Sequence, residues 1–343
     1  MITIKDIAQI SGYSISTVSR VINNRTDVSD AAKEKIREVI REQNYQPNEN
    51  ARMLKQSIST DISVIVRGNR SIFLESILEE IQIRTGKHGE SINVHFIGET
   101  DDEVATAIQI GQYLKPKGFI FLGGSADHFR EEFSQISLPS VLVTVDASDL
   151  GFENLSSFTT DDEAAASCAV ARLLSQGHRR IGILGGHRND RGGRSGSGYS
   201  TLRIRGAVRE LEKNGIHFDF ERDYESCAFS AEGGYQAAEK LRRKSPDLTG
   251  VFAINDAIAI GAIRLFRDRD LEVPGDISVT GFNGVDYVRY FNPRLATIRQ
   301  DVAMLATKSV DDLLLRISYG SPAVHEKIPF EYIDGESVAS PRK

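Results

Sequence analysis

The stretch TIKDIAQISGYSISTVSRVIN, from Thr3 to Asn23, predicts two short helices joined by a tight turn. Thr3 and Ser14 are well placed to cap these helices, because a hydroxyl can accept a hydrogen bond from the first free backbone N–H groups. Gly12 lies between the helices, where a sharp turn benefits from its tolerance of positive φ. Apolar side chains recur at helical spacing in both segments: Ile4, Ile7 and Ala8, then Val18, Val21 and Ile22.

A third helix is expected to follow, capped by Ser29 and ending near Asn44. Its apolar positions, Ile36, Val39 and Ile40, repeat at the spacing of one helix face and would point inward. Three short helices, the first two joined by a turn that contains glycine, form a helix-turn-helix.

The outward face of the second helix favours binding to DNA. Thr17 and Ser19 have small hydroxyl side chains that can approach phosphates closely. Arg20 can donate two hydrogen bonds to one guanine in the major groove. The alternative is a surface helix that is rich in serine without a function. The agreement of the turn, the apolar stripe and the basic residue favours a head that reads DNA.

The same stretch, followed by Val28-Ser29 and by Asn44-Tyr-Gln-Pro-Asn48, closely resembles the DNA-binding head of the LacI/GalR (lactose/galactose repressor) family. The resemblance implies a helix-turn-helix domain over 1–47 and assigns a role to nine residues. Three would face base edges: Ile15, Ser16 and Arg20. Six would contact phosphates: Thr3, Ser14, Thr17, Ser19, Asn23 and Ser29.

The segment 48–60 is too short to form a stable helix alone, since it allows only about two turns. Its composition is that of a linker. The resemblance implies a hinge helix that orders on the operator, with Leu54 inserted into the minor groove as a wedge. Ala51 would lie where two hinge helices pack together.

From Ile62 onward, short β-branched runs alternate with amphipathic stretches, which predicts an α/β body of parallel doubly wound sheets in two lobes. The predicted strands are 62–66, 92–97, 118–122, 140–145, 180–184, 224–229, 250–254 and 277–281. The predicted helices are 72–87, 161–176, 202–214, 257–267 and 302–319. Ligands of such folds bind at the carboxyl ends of strands, so we expect a site in the cleft between the lobes.

The body resembles the effector domain of the same family, a fold shared with periplasmic sugar-binding proteins. The matching stretches are 177–186, 203–206, 252–256, 273–279 and 297–301. The resemblance implies an effector-binding and dimerisation domain over 61–343. Its two discontinuous lobes would be 61–158 plus 302–320, and 159–301 plus 321–335.

Polar residues at predicted strand ends are candidates for binding a sugar-like effector. By position, the resemblance assigns six residues to this role: Asp146, Arg203, Phe229, Asn255, Asn283 and Gln300. Each polar one could alternatively cap a helix or stabilise a turn. Sugar-binding members of the family often carry Asp where this chain has Asn283.

Because of three arginines, the sequence does not determine whether the effector is neutral or negatively charged. Arg67 directly follows the first predicted strand, and Arg188 and Arg194 lie in the glycine-rich loop 185–199. This loop is expected to be a solvated connection. If any of these arginines points into the cleft, a phosphorylated or acidic sugar becomes a candidate.

Composition excludes several other classes of protein. No apolar run approaches the roughly 18 residues needed to cross a bilayer, and the first residues do not form a secretory signal. Cys168 and Cys227 lie far apart without ligand spacing, so neither a disulfide scaffold nor a metal site is expected. No catalytic motif or cofactor loop is present, which argues against an enzyme. The net charge of -6 divides into +2 for residues 1–60, with nine basic and seven acidic side chains, and -8 for the remainder.

These features predict a cytoplasmic, homodimeric repressor of a carbohydrate-utilisation operon. We expect it to bind a pseudo-palindromic DNA operator, with half-sites about one helical turn apart, and to be released by a small sugar-like effector. One alternative within the family is a regulator that a corepressor or a phosphoprotein activates. A sugar-binding protein or an enzyme fits the sequence less well.

Overall fold

The computed structural model describes residues 4–22, 28–43, 61–68, 71–186 and 198–342, without the side chains of residues 4, 5, 15 and 16. The chain forms two compact units, Met1–Ser59 and Thr60–Lys343. They are called the head and the body below. Several sequence-based assignments lie outside the described residues: Thr3, Asn23, the hinge 48–60 with Ala51 and Leu54, Arg188 and Arg194.

The head has three helices among its described residues: α1 (Ile4–Ser11), α2 (Ile15–Ile22) and α3 (Asp30–Glu42). Their predicted inward faces meet in a small core that includes Ile7, Val18 and Ile36. Each of these three side chains is completely buried. The apolar stripes therefore explain why short helices, which are marginal alone, are stable here.

The turn between α1 and α2 has the predicted form. Gly12 has a φ of 76°, a conformation that costs glycine little. Ser14 caps α2, and its Oγ accepts a hydrogen bond of 3.2 Å from the backbone N of Thr17. Ser29 precedes α3 at the N-cap position, but its side chain makes no capping hydrogen bond. The predicted hydroxyl cap at Ser29 is therefore wrong.

The first lobe of the body is a six-stranded sheet in the order β11-β5-β4-β3-β1-β2, and all its neighbouring strands run parallel. Its helices cover both faces of the sheet. The strands are β1 (Ile62–Arg67), β2 (Ile92–Ile97), β3 (Phe119–Leu122), β4 (Ser140–Val143), β5 (Leu155–Thr160) and β11 (His325–Ile328). The helices are α4 (Ile72–Lys87), α5 (Glu103–Tyr113), α6 (Ala126–Glu132) and α12 (Val302–Tyr319).

The second lobe is another six-stranded sheet, in the order β12-β10-β9-β8-β6-β7. Its strands are parallel except for the edge strand β12, which pairs antiparallel with β10. The strands are β6 (Ile181–Leu184), β7 (Tyr224–Glu225), β8 (Gly250–Ala253), β9 (Ser278–Asn283), β10 (Ala296–Gln300) and β12 (Phe330–Ile333). The helices are α7 (Asp162–Ser175), α8 (Tyr199–Lys213), α9 (Phe220–Asp223), α10 (Ala231–Lys244) and α11 (Asp256–Asp268). Two doubly wound lobes confirm the predicted fold class.

The chain crosses between the two sheets three times: after β5, after β10 and between β11 and β12. The last crossing corrects a predicted boundary, since 321–335 does not lie wholly in the second lobe. Strand β11 pairs in parallel with β5, and only β12 joins the second sheet. Strand β5 likewise continues to Thr160, beyond the predicted end of the first lobe at 158.

Several elements differ from the predicted ones. The strand predicted over 224–229 pairs only at Tyr224–Glu225, and the strand predicted over 140–145 ends at Val143. Strand β5 was not predicted, because its sequence LSSFTT lacks a long apolar run although all six residues are buried. Strands β10, β11 and β12 were also not predicted. Helices were expected between most strands, but no bounds were given for α5, α6, α9 and α10.

Helices α7 and α8 pack closely because α8 contains Gly206. A Cβ atom at this position would lie 2.1 Å from the carbonyl oxygen of Glu163 on α7. This contact gives a structural reason for the glycine in the stretch Arg203-Ile-Arg-Gly206, and it fixes the helix that carries Arg203 against its neighbour. Among the described residues, no helix has the length and apolar character needed to cross a membrane.

Candidate functional site

A cavity of about 300 Å³ lies within the body where the carboxyl ends of both sheets meet. Arg67 ends β1 and Thr144 follows β4 on the first-lobe side, while Asn255 follows β8 and Asn283 ends β9 on the second-lobe side. Ligand sites of doubly wound sheets form at this edge, because loops and helix N-termini converge there. The cavity is the candidate effector site.

Arg203 is the central side chain of the second-lobe wall, and it is only 4% exposed. Its Nε donates to Oδ1 of Asp162 at 2.7 Å, and its Nη1 donates to the carbonyl oxygen of Ile254 at 2.8 Å. The guanidinium also lies over the ring of Phe282, 3.7 Å from the ring centroid. A buried charge needs such partners, so this network holds the arginine at the cavity wall.

Two asparagines flank Arg203 on the same wall. Oδ1 of Asn255 accepts a hydrogen bond of 2.8 Å from the backbone N of Ile258, and this bond caps α11. Oδ1 of Asn283 accepts from Nη1 of Arg203 at 3.3 Å and from Nε2 of Gln300 at 3.0 Å. Asn283 has a φ of 112°, an unusual value for a side chain larger than glycine. Such backbone strain often occurs at ligand sites.

Two buried carboxyl groups support this wall from behind. Burial raises the pKa of Asp162, and the neighbouring Arg203 opposes that rise. Burial also raises the pKa of Asp256 to about 7. Asp256 accepts hydrogen bonds from the Thr297 hydroxyl at 2.6 Å and from the backbone N of Val285 at 3.0 Å. The wall is therefore part of a buried polar network.

The first-lobe wall is built around Arg67 and the fully buried Glu103. Nε of Arg67 lies 3.5 Å from Oε2 of Glu103, and it makes no hydrogen bond within the described chain. Glu103 has closer partners in the backbone N of Ser125, at 2.6 Å, and Nδ1 of His128, at 2.9 Å. Within the described residues, Arg67 is consequently held by one long ionic contact.

Asp102, Glu103 and His128 place potential ligand atoms for a cation near one another. Oδ1 of Asp102 already accepts hydrogen bonds from the backbone N atoms of Val104 and Ala105. The positive charge of Arg67 also lies beside Glu103. These contacts disfavour a cation there and identify the group as support for the wall.

Four of the six predicted effector residues line the cavity: Arg203, Phe229, Asn255 and Asn283. Gln300 is buried behind the wall and contacts Asn283. Asp146 is not among the described residues that line the cavity. Strand β4 ends three residues before it, and the Asp146 carboxylate accepts a hydrogen bond of 2.9 Å from the backbone N of Ser148. Arg67, an alternative in the sequence, also lines the cavity.

The cavity also contains lining residues that were not singled out from the sequence. On the first-lobe side these are Ser71, Glu99, Ser125 and Thr144, and on the second-lobe side Tyr199 lies beside Phe229, with ring centroids 5.5 Å apart. Ser71 and Ser125 precede helices, which was the available signal for their position at a strand–helix loop. Glu103 resembled an ordinary acid in the first turn of a helix, so its burial gave no signal.

In the head, Arg20 is exposed near the end of α2, and Ser14, Thr17 and Ser19 lie on or just before this helix. The Ser14 and Thr17 hydroxyls are 2.8 Å apart. Ser29 is exposed before α3. This arrangement of an arginine and small hydroxyls on one helix suits a surface that contacts DNA. The side chains of Ile15 and Ser16 lie outside the described atoms.

A helix-turn-helix unit followed by a two-lobed α/β body with an interlobe cavity defines a ligand-responsive DNA-binding regulator as a class. Residues 3–48 match the family of bacterial regulatory proteins of the lacI type, and residues 170–338 match a periplasmic binding protein-like domain. The chain is 33% identical over 340 residues to the HTH-type transcriptional regulator MalR of Clostridium butyricum, covering 97% of this chain and 98% of that protein. It belongs to the LacI family of bacterial transcriptional regulators.

Two further similarities extend over nearly the whole chain. The ribose operon repressor of Haemophilus influenzae is 29% identical over 319 residues, covering 92% of each chain. The crystal structure of the Lac repressor dimer bound to operator and the anti-inducer ONPF has a TM-score of 0.75 and 26% identity, covering 98% of this chain and 99% of that one. The similarity therefore includes both the head and the body.

Proposed function

We propose that this chain represses a carbohydrate-utilisation operon as a homodimer and is released from DNA by a small sugar-like effector. The single observation that carries this proposal is the polar cavity between two lobes, on the same chain as a helix-turn-helix head. DNA is the proposed partner of the helix-turn-helix domain, 1–47, and the effector is the proposed ligand of the effector-binding domain, 61–343. Because operator DNA lies in the cytoplasm, the repressor acts there.

The proposed reading surface is the outward face of α2. Ile15, Ser16 and Arg20 contact base edges in the major groove, where arginine recognises guanine. The hydroxyls near α2 and Ser29 fix the position of the head on phosphates. The head has a net charge of only +2 over residues 1–60, so specific contacts and two-fold symmetry contribute more to affinity than overall charge does.

The proposed release mechanism uses the two lobes. An effector in the cavity contacts residues of both sheets, so it stabilises the arrangement of lobes in which those contacts form together. The hinge 48–60, with Leu54 as the minor-groove wedge and Ala51 at the packed helix pair, transmits the change to the heads. Ligand and operator then oppose each other's binding by the same coupling free energy.

Selection of DNA from a pool of random duplexes by the purified chain tests the DNA-binding part of this proposal. We expect enrichment of a pseudo-palindrome with half-sites about one helical turn apart. Arg20→Ala should reduce the preference for that sequence by about 1–3 kcal/mol, since it removes one arginine–guanine contact. Lys35→Ala is the matched control, because Lys35 is an exposed basic residue on α3.

Equal discrimination between the selected and scrambled sequences by Arg20→Ala would contradict the assigned reading face. The effector part is tested by adding sugars to the preformed complex and measuring fluorescence anisotropy of labelled operator. A sugar that lowers operator affinity supports release by an inducer. A sugar that raises operator affinity would replace this mechanism with activation by a corepressor.

A further inference from the structure

Three polar side chains of the second-lobe wall, Arg203, Asn255 and Asn283, each keep a nitrogen donor for a ligand, because protein groups bond to their other polar atoms. For Asn255, Oδ1 is fixed by the backbone N of Ile258 at 2.8 Å. A backbone N–H can only donate, so the atom that faces it must be the oxygen. The group that Asn255 retains for the cavity is therefore its NH₂.

Asn283 is oriented by the same reasoning. Its Oδ1 faces Nη1 of Arg203 at 3.3 Å, and an arginine has no acceptor atom. Nε2 of Gln300 donates to the same oxygen at 3.0 Å. Asn283 is only 8% exposed and has a φ of 112°, so its amide has little freedom to turn over. Its Nδ2 is the group left for a ligand.

Arg203 completes the set. Its Nε and Nη1 are bonded to Asp162 and to the carbonyl oxygen of Ile254. Nη2 has no hydrogen-bond partner within the part of the chain that the structure describes. Arg203, Asn255 and Asn283 all line the cavity. We call Nη2 of Arg203 and Nδ2 of both asparagines the donor wall.

The first-lobe side of the cavity has a different chemistry. Ser71, Ser125 and Thr144 carry hydroxyls that can both donate and accept, and Glu99 adds an exposed carboxylate. A hydroxyl group of a ligand is satisfied on this side, because its proton finds an acceptor. At the three nitrogens of the donor wall the same proton would lack an acceptor, and an unsatisfied buried donor is costly. Among the described lining residues, Tyr199, Ser200 and Thr201 carry the other hydroxyls on the second-lobe side of the cavity, outside the donor wall.

The charged groups near the cavity are either paired, buried behind a wall or screened by solvent. The difference in hydrogen bonding therefore determines which class of ligand binds. Asp162 balances Arg203 and Glu103 balances Arg67, in each case from the buried side. Asp256 is a further buried carboxyl group behind the second-lobe wall, and Glu99 is screened by solvent. A carboxylate on the donor wall meets N–H groups first, and hydrogen bonds to an ionised acceptor are the stronger kind.

We propose that the effector is a sugar acid whose carboxylate binds the donor wall and whose hydroxyls face the first lobe. This rests on the proposed function, since it names the class of ligand for the same cavity. Hexuronates fit the description, because they combine a hydroxylated ring with one carboxylate. The Tyr199–Phe229 pair lies on the same side of the cavity as the donor wall and offers aromatic surface to the ring.

Thermal-shift and calorimetric titrations of the full chain test the proposal with matched probes. The probes are D-glucuronate and D-galacturonate, D-glucose and D-galactose, and the two uronamides. The hexoses replace the carboxylate by CH₂OH, and the amides replace one acceptor oxygen by a donor. We expect the acids to raise the unfolding midpoint and to bind at least about 10-fold more tightly than either neutral set.

Asn283→Asp makes the decisive variant. The new carboxylate still accepts from Arg203 and Gln300, but it presents an oxygen to the ligand carboxylate, so we expect uronate affinity to fall by at least about 10-fold relative to the hexose. Asn255→Asp preserves the acceptor for Ile258 and repeats the test if the first variant does not fold. The matched control is Asn292→Asp, an exposed position bonded to Arg267.

Equal or tighter binding of the neutral hexoses would overturn the proposal, and so would the absence of any midpoint shift with the acids. An unchanged acid-to-hexose ratio in Asn283→Asp would exclude the donor wall as the carboxylate subsite. Operator binding separates this outcome from failure of the proposed function. If the chain binds its operator but prefers neutral sugars, only the ligand class is wrong. If uronates bind without altering operator affinity, the ligand class stands and the release mechanism fails.

Discussion

The two walls of the cavity come from lobes of the same architecture, yet they are built differently. On the second-lobe wall, the Arg203 guanidinium makes three hydrogen bonds to protein and lies over an aromatic ring. On the first-lobe wall, Arg67 has one ionic contact, of 3.5 Å, within the described residues, and three other cavity-lining side chains on that side, Ser71, Ser125 and Thr144, carry hydroxyls. The difference predicts that, in the proposed effector complex, one wall fixes the ligand orientation while the other adapts to hydroxyl groups.

The strongest test of this difference is Arg203→Ala. It leaves the Asp162 carboxyl buried without its partner, so we expect the free energy of unfolding to fall by about 3–5 kcal/mol. Urea unfolding of the full chain measures this change. The double variant Arg203→Met with Asp162→Leu removes both charges and should recover much of the loss. A double variant as unstable as Arg203→Ala would show that the ion pair is not what the single variant disrupts.

Only part of the candidate site could be predicted from the sequence. Arg203 was identified at the start of a predicted helix and Asn255 after a predicted strand, and both match family effector positions. Their hydrogen-bonding polarity was not predictable, because it depends on contacts that only folding creates. Gln300 lies 17 positions from Asn283, and Asp162 lies 41 positions from Arg203. Glu103 was missed because its burial depends on packing between separate elements.

The fold shows the same division between local and distant information. Helices α4 and α12 were predicted with the bounds that the structure shows. The structure explains these bounds locally, since Ser71 and Asp301 cap their first turns and Gly320 ends α12 in a left-handed conformation. Strand β11, with the sequence HEKI, has no apolar pattern of its own. It forms because β5 offers a parallel edge, and that pairing joins distant parts of the chain.

The next largest expected effect is a pH dependence of the free energy of unfolding. It comes from Asp256, which is buried behind the second-lobe wall. Its folded pKa is raised to about 7, whereas an unfolded aspartate titrates near 4. The folded state therefore binds the proton more tightly, so this stabilisation is complete below about pH 4 and is lost as pH rises to about 7. We expect the wild type to lose about 2–3 kcal/mol relative to Asp256→Asn between pH 5 and pH 8, measured by urea unfolding.

The asparagine at position 256 can be accommodated, because its oxygen can accept from Val285 and its NH₂ can donate to the Thr297 hydroxyl. Arg203 and Tyr287 are ionisable groups among the described residues that interact with Asp256, and both remain in this comparison. Asp286→Asn is the control, since the Asp286 side chain is 91% exposed. If the difference between wild type and Asp256→Asn is constant over this pH range, Asp256 does not titrate as described.

Arg67→Gln gives the smallest expected effect and completes the comparison on the first-lobe wall. Glu103 retains the backbone N of Ser125 and His128 as close partners after this change, so its carboxylate is not left unsatisfied. We therefore expect a loss of only about 1 kcal/mol in the free energy of unfolding, and Arg67→Lys should lose less. Urea unfolding under the conditions used for Arg203→Ala makes the two walls directly comparable. The free energy of unfolding could instead fall as much for Arg67→Gln as for Arg203→Ala. The long contact to Glu103 would then stabilise the fold as much as the whole Arg203 network does, and both walls would be equally rigid.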